Sequence, residues 1–160
     1  FKAAIAQVLR PERILEIGVG WGVSANAFYH GFSSLHFVGV ENCEMGVHPS
    51  EVLRFAAQNL IIKSTDDIPS FLEYCDPIDL IHIDGGHGYD QKTRDVVKAL
   101  EARPEWILVD DVHDVMVAAG TFRGLYKAAA NSLHMLYFEN SHTGNLLIHT
   151  AKLPPDHRDF

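Results

Sequence analysis

Arg13-Ile14-Leu15-Glu16-Ile17-Gly18-Val19-Gly20-Trp21-Gly22 decides how the chain reads. The first five residues are rich in large apolar side chains and predict a strand. Three glycines at alternate positions predict a tight turn that a ligand can approach closely. Ser24 to Tyr29 suits a helix directly after it. Strand, glycine turn and helix in that order open an α/β unit, with exposed N–H groups at the helix start.

Reading outward, Ala3 to Leu9 predicts a short helix ended by Pro11. Leu35 to Val40 predicts a second strand, closed by Glu41. Ser50 to Ala57 reads as a helix and Leu60 to Ile62 as a third strand. Asp66 or Asp67 is placed to cap a short helix through Phe71 and Leu72. Ile78 to Ile83 is a fourth strand, mostly apolar, as in a sheet covered on both faces. A helix follows over Asp90 to Ala102, with Val96, Val97 and Leu100 inward. Trp106 to Val109 is a fifth strand. The next helix sets Val115, Ala118, Ala119, Phe122, Leu125, Tyr126 and Ala129 along one stripe. Leu133 to Phe138 and Asn145 to His149 are joined by only six residues, which suits an antiparallel hairpin and not a crossover helix. The tail after Ala151 is polar and carries Pro154-Pro155. The whole predicts a doubly wound, mostly parallel seven-stranded α/β sheet with a C-terminal antiparallel hairpin.

Composition agrees with one domain. The 160 residues are 47% hydrophobic and 21% charged, enough for a core and unlike a disordered chain. Lys and Arg total 13 against 21 Asp and Glu, a formal charge of −8, with no basic cluster; a nucleic-acid backbone footprint is not expected. Cys43 and Cys75 allow at most one disulfide and read as reduced thiols. No apolar run approaches the roughly 18 residues of a membrane span. The Phe1-Lys2-Ala3-Ala4 start does not resemble a signal peptide, and a cytoplasmic location is the default expectation.

In open α/β sheets ligands bind beyond the carboxyl ends of the strands. That rule selects the loops Gly18–Gly22, Glu41, Ser64–Asp67, Asp84–Tyr89 and Asp110–Asp114. Glu41 can accept two hydrogen bonds from a ribose diol. The plainer alternative is a packing turn and a solvated strand end. A nicotinamide fingerprint, G-x-G-x-x-G, would need its third glycine at Val23, whereas the chain has it at Gly22; Walker A is absent. Asp84, Asp110 and Asp111 follow strands four and five, which lie side by side in this fold. Such carboxylates resist ionising together. A hard divalent cation would relieve that cost. The competing reading makes them helix caps or loop acceptors. His87 is placed to take a proton from a hydroxyl, or else to bond a backbone carbonyl. His113 and the buried-strand His82 read as structural.

Glu16, Gly18, Gly20, Gly22 and Glu41 together resemble the class I S-adenosylmethionine-dependent methyltransferases, over about Arg13 to His149. The resemblance implies a Rossmann-like methyltransferase fold with S-adenosylmethionine as cofactor. Glu16 and the glycine loop would border its methionine portion, Glu41 its ribose, and Ser64 and Thr65 its adenine. Asp84-Gly85-Gly86-His87 and Asp110-Asp111 are similar to the metal-dependent O-methyltransferases. This implies Mg²⁺ on Asp84, Asp110 and Asp111, His87 as base, and a small-molecule or natural-product sugar hydroxyl as acceptor. The family often has extra N-terminal helices that cover the cofactor. Their absence from this sequence would fit a homo-oligomer, a large exposed acceptor or a trimmed chain. A metal-independent methyltransferase and a non-catalytic cofactor-binding subunit are the alternatives.

Overall fold

The computed structural model describes residues 1–43, 60–128, 133–139 and 143–150. Its elements are α1 (Lys2–Leu9), β1 (Arg13–Ile17), α2 (Val23–Gly31), β2 (His36–Glu41), β3 (Leu60–Ile62), β4 (Leu80–Ile83), α3 (Tyr89–Glu101), β5 (Trp106–Val109), α4 (Val115–Lys127), β6 (His134–Phe138) and β7 (Asn145–His149). The helix expected over Ser50–Ala57 and the tail after Ala151 lie outside the described residues.

Seven strands form one sheet in the order β3-β2-β1-β4-β5-β7-β6. The first five are parallel, and β7 and β6 run antiparallel, as the short terminal connection requires. The strand order reverses direction between β1 and β4, so a crevice opens over their carboxyl ends.

Alternation along β1 sorts the core. Leu15 and Ile17 join Val40, Ile81, Ile83 and Val109 under α3 and α4. Ile14 joins Phe37, Leu80 and Leu108 against Ile5, Ala6, Ala25 and Phe28 of α1 and α2. Each fully buried Phe or Leu side chain contributes about 1.5–3 kcal/mol. Glu16 shares the face of Ile14, and the β1–β4 register sets it beside His82.

Two local expectations need correcting. The segment after β3 forms two 3₁₀ turns, Thr65–Asp67 and Phe71–Glu73, capped by Ser64 and Ser70 rather than by Asp66 or Asp67. The inward face of α4 is Val117, Gly120, Thr121, Gly124 and Leu125. Val115, Phe122 and Tyr126 of the expected stripe are exposed. Close approach to α3 selects the small residues: a Cβ on Gly124 would lie 2.7 Å from Val96 Cβ, and one on Gly120 2.6 Å from the Tyr89 carbonyl oxygen.

Candidate active site

The glycine turn is left-handed at all three glycines, with φ of 82°, 50° and 69° at Gly18, Gly20 and Gly22. Gly18 packs backbone against backbone: a Cβ there would stand 2.4 Å from Gly85 Cα. Gly20 differs, because a Cβ would meet nothing within 4 Å. Gly22 then caps α2. Glu41, at the end of β2, accepts from the Gly20 amide at 2.8 Å and from the Cys43 amide at 2.9 Å, one bond to each carboxylate oxygen. Each oxygen keeps a further lone pair for a ligand hydroxyl. A cavity of about 660 Å³ opens here, with Gly18, Gly20, Trp21, Glu41, Asp84 and His87 on its wall. That is the size of a small-molecule site.

The remaining cofactor candidates divide. Thr65 lines the cavity, its hydroxyl donating to Asp95 at 2.7 Å, and the Ser64 hydroxyl accepts from the Asp66 amide at 3.3 Å. Glu16 is fully buried and pairs with His82 Nδ1 at 2.9 Å. Burial, reinforced by the charge of Asp84, pushes the Glu16 carboxyl well above the carboxylate range. Burial, reinforced by Lys2, holds the His82 imidazole well below its usual value. Both shifts favour the uncharged forms of the pair. His82 Nε2 lies 4.0 Å from Asp84 Oδ2.

Asp84 and Asp110 converge, but on a lysine. Lys2 Nζ donates to Asp84 Oδ2 at 3.2 Å, to Asp110 Oδ2 at 2.5 Å and to Ser24 Oγ at 2.6 Å. Burial opposes the Lys2 charge, yet Asp84 and Asp110 outweigh it and hold its pKa above the usual value. Burial also pushes Asp110 up, but the bonds from Lys2 and Thr143 prevail and bring it down to about 2. Asp84 has no such surplus of donors, so burial raises it. Asp111 turns elsewhere: its Oδ2 is 2.9 Å from His87 Nε2. His113 packs on Tyr137, with ring centroids 6.0 Å apart, and its amide donates to Thr143.

No protein-family model and no curated protein sequence matches this chain. Solved structures do. The O-methyltransferase of Bacillus cereus in complex with SAH superposes with a TM-score of 0.69 at 20% identity, over 94% of this chain and 79% of that one. The O-methyltransferase TomG of Streptomyces achromogenes, involved in tomaymycin synthesis and bound to SAM, gives 0.67 at 20% identity, over 93% and 77%. An SAH-bound methyltransferase of Podospora anserina gives 0.67 at 20% identity, over 93% and 76%. The chain has the Rossmann-like methyltransferase fold. Among the described residues, no helix is long and apolar enough to cross a membrane.

The donor set fits a nucleoside cofactor, with the unobstructed Gly20 turn and the fixed Glu41 carboxylate on one cavity wall. Glu16, His82 and Asp84 bring one ligand atom each within 4.8 Å of one another, but the predicted set of Asp84, Asp110 and Asp111 does not fit a divalent cation. The facing oxygens of Asp84 and Asp110 are joined by an ammonium, and Asp111 is paired with His87. Sequence reasoning missed Lys2, because its partners lie 82 and 108 residues away. It also missed Lys92, which is fully buried on α3 and donates to the Gly85 carbonyl at 2.8 Å, bracing the Asp84–His87 loop. A lysine at an inward helix position was the available signal for the second.

Proposed function

We propose that this chain transfers the methyl group of S-adenosylmethionine to a hydroxyl of a small molecule, with a natural-product sugar as the favoured acceptor class. One observation carries the reading: a left-handed glycine turn whose Gly20 amide is held by Glu41, in a cavity that also exposes His87. The fold shared with structures that hold SAM or SAH supports it.

When bound, the cofactor supplies a sulfonium methyl open to in-line attack. The protein does the rest through position and proton transfer. Glu41 would accept from the ribose hydroxyls, and the Gly18–Gly22 backbone would border the methionine portion. His87 is 60% exposed along its side chain, so an acceptor can reach it. Its Nε2 lies 2.9 Å from Asp111 Oδ2, and with a proton on Nε2 facing that carboxylate, Nδ1 would be the basic atom. Nδ1 would take the proton of the acceptor hydroxyl, leaving its oxygen free to be methylated. Asp111 then steadies the imidazolium. Magnesium, which the sequence resemblance implies, enters no step, because Lys2 already joins the Asp84 and Asp110 oxygens that would hold it.

Isothermal titration calorimetry with S-adenosylhomocysteine tests the reading. Saturable one-site binding is expected, followed by methyl transfer from labelled cofactor to members of a hydroxyl panel. Folded protein that takes up no S-adenosylhomocysteine would overturn it.

A further inference from the structure

We propose that the Lys2 ammonium is the resident cation of the acidic site, standing where a divalent ion would sit, and that the site binds no divalent metal while Lys2 is in place. The inference deepens the methyltransfer reading and rests on it only for the site's role. Its test does not depend on the cofactor.

An ammonium has three N–H donors and no more. All three are used, on Ser24 Oγ, Asp84 Oδ2 and Asp110 Oδ2. Of the acceptors, Asp110 is the most fully committed. Asp110 Oδ1 takes the Asp111 amide at 2.9 Å and the Thr143 hydroxyl at 2.5 Å, and the Ser24 hydroxyl that receives Lys2 donates on to Asp84 at 3.2 Å. Lys2 is 16% exposed along its side chain, so water competes weakly for these bonds.

The delivery is rigid. Lys2 opens α1, whose Ile5 and Ala6 are buried against α2. The two helices meet so closely at Gly31 that a Cβ there would stand 2.1 Å from the Ala3 carbonyl oxygen. A metal ion entering between Asp84 and Asp110 would have to displace a partly buried ammonium whose described acceptors are Ser24, Asp84 and Asp110.

The consequence is a limit on substrate class. A divalent ion keeps coordination positions open for two adjacent acceptor oxygens. An ammonium with three protein partners keeps none. Acceptor activation then falls to His87 and Asp111 alone, and a vicinal diol gains no chelate advantage over a single hydroxyl.

Mn²⁺ titration of the full chain, followed by the paramagnetic resonance signal of the free ion, tests this. Wild type is expected to leave Mn²⁺ free into the millimolar range, with a Tm unchanged by chelator. Lys2→Met should gain one Mn²⁺ per chain, at least tenfold tighter than wild type, and lose it again when Asp84→Asn is added. Lys2→Arg, which keeps the charge, should stay metal-free, and Lys2→Gln replaces Lys2→Met if the latter does not fold. One Mn²⁺ per wild-type chain, abolished by Asp84→Asn, would overturn the proposal. So would a folded Lys2→Met or Lys2→Gln that takes up no ion. Calorimetry with S-adenosylhomocysteine on the same samples reads the methyltransfer proposal separately, since its failure would leave the Mn²⁺ result unchanged.

Discussion

His87 Nε2 stands 2.9 Å from Asp111 Oδ2, an exposed imidazole held by a carboxylate that is only 18% exposed. Asp111 sits in the left-handed region, at φ 61°, a conformation that costs a non-glycine residue about 1–2 kcal/mol. Its amide is anchored on the Asp110 side chain at 2.9 Å. That anchor keeps the turn strained and sends the two neighbouring carboxylates in different directions, one to Lys2 and one to His87. The adjacent pair thus divides its labour.

If His87 is the base and Asp111 its orienting partner, their loss separates from cofactor binding. His87→Ala should lower turnover by about 10²–10⁴-fold, the usual contribution of general base catalysis. Asp111→Asn, which keeps a hydrogen-bond acceptor but loses the charge, should cost less. S-adenosylhomocysteine affinity should stay within about twofold in both, since neither group is assigned a cofactor contact. Steady-state rates and calorimetry check this, and an active His87→Ala would remove His87 from the mechanism.

Gly18 and Gly20 share a backbone conformation but not a neighbourhood. Gly20→Val meets no neighbour within 4 Å of its Cβ and should fold, at a left-handed penalty of at least about 1–2 kcal/mol for a β-branched residue. It should abolish S-adenosylhomocysteine binding by filling the cavity. Gly18→Ala forces a Cβ to 2.4 Å from Gly85 Cα, where only backbone could yield, so stability itself should fail. Thermal melts beside calorimetry distinguish the two. Unchanged affinity in Gly20→Val would remove the turn from the cofactor site.

These contrasts mark what was legible beforehand. The glycine turn, Glu41 and the Asp84–His87 loop follow from local chemistry: strand ends and φ-permissive residues announce themselves within a few positions. Lys2 does not, because a solvated surface lysine and one tied to Asp84 and Asp110 look alike in sequence. Glu16 reads as a cofactor-site residue by its place before the glycines, while its pairing with His82 comes from the register across β1 and β4, which local sequence does not show. The α4 stripe failed for a different reason. Apolar periodicity finds the greasiest face, whereas the face against α3 is chosen for smallness.

The shared lysine also sets an acid limit. Asp110 is held near pKa about 2 against an ordinary 3.8, by Lys2 and Thr143 working against burial. A carboxyl whose folded pKa is depressed contributes stability that is complete above the unfolded value and lost as pH falls through the folded one. The window is therefore about pH 4 down to pH 2, and the contribution about 2 kcal/mol. Asp84 and Glu16, both raised, act with the opposite sign, so the effect is read as a difference from Asp110→Asn. Urea unfolding at several pH values should show the wild-type advantage shrinking across that window. A constant gap would refute the assigned pairing.

The inward face of α4 gives the last test. Gly124→Ala should gain up to about 1 kcal/mol of helix propensity. Against this, the new methyl would lie 2.7 Å from Val96 Cβ and 3.0 Å from the Thr93 carbonyl oxygen. Val96 is fully buried and branched at the atom in question, so it cannot rotate out of the way. Overpacking of this kind costs about 1–3 kcal/mol, and the clash outweighs propensity. A net loss of about 1–2 kcal/mol lowers Tm by roughly 2–8 °C in a chain of this size. Tyr126→Ala, at a side chain 80% exposed on the opposite face, should stay within about 0.5 kcal/mol of wild type. The reverse order, a stable Gly124→Ala with a damaged Tyr126→Ala, would mean that α4 packs through its apolar stripe after all.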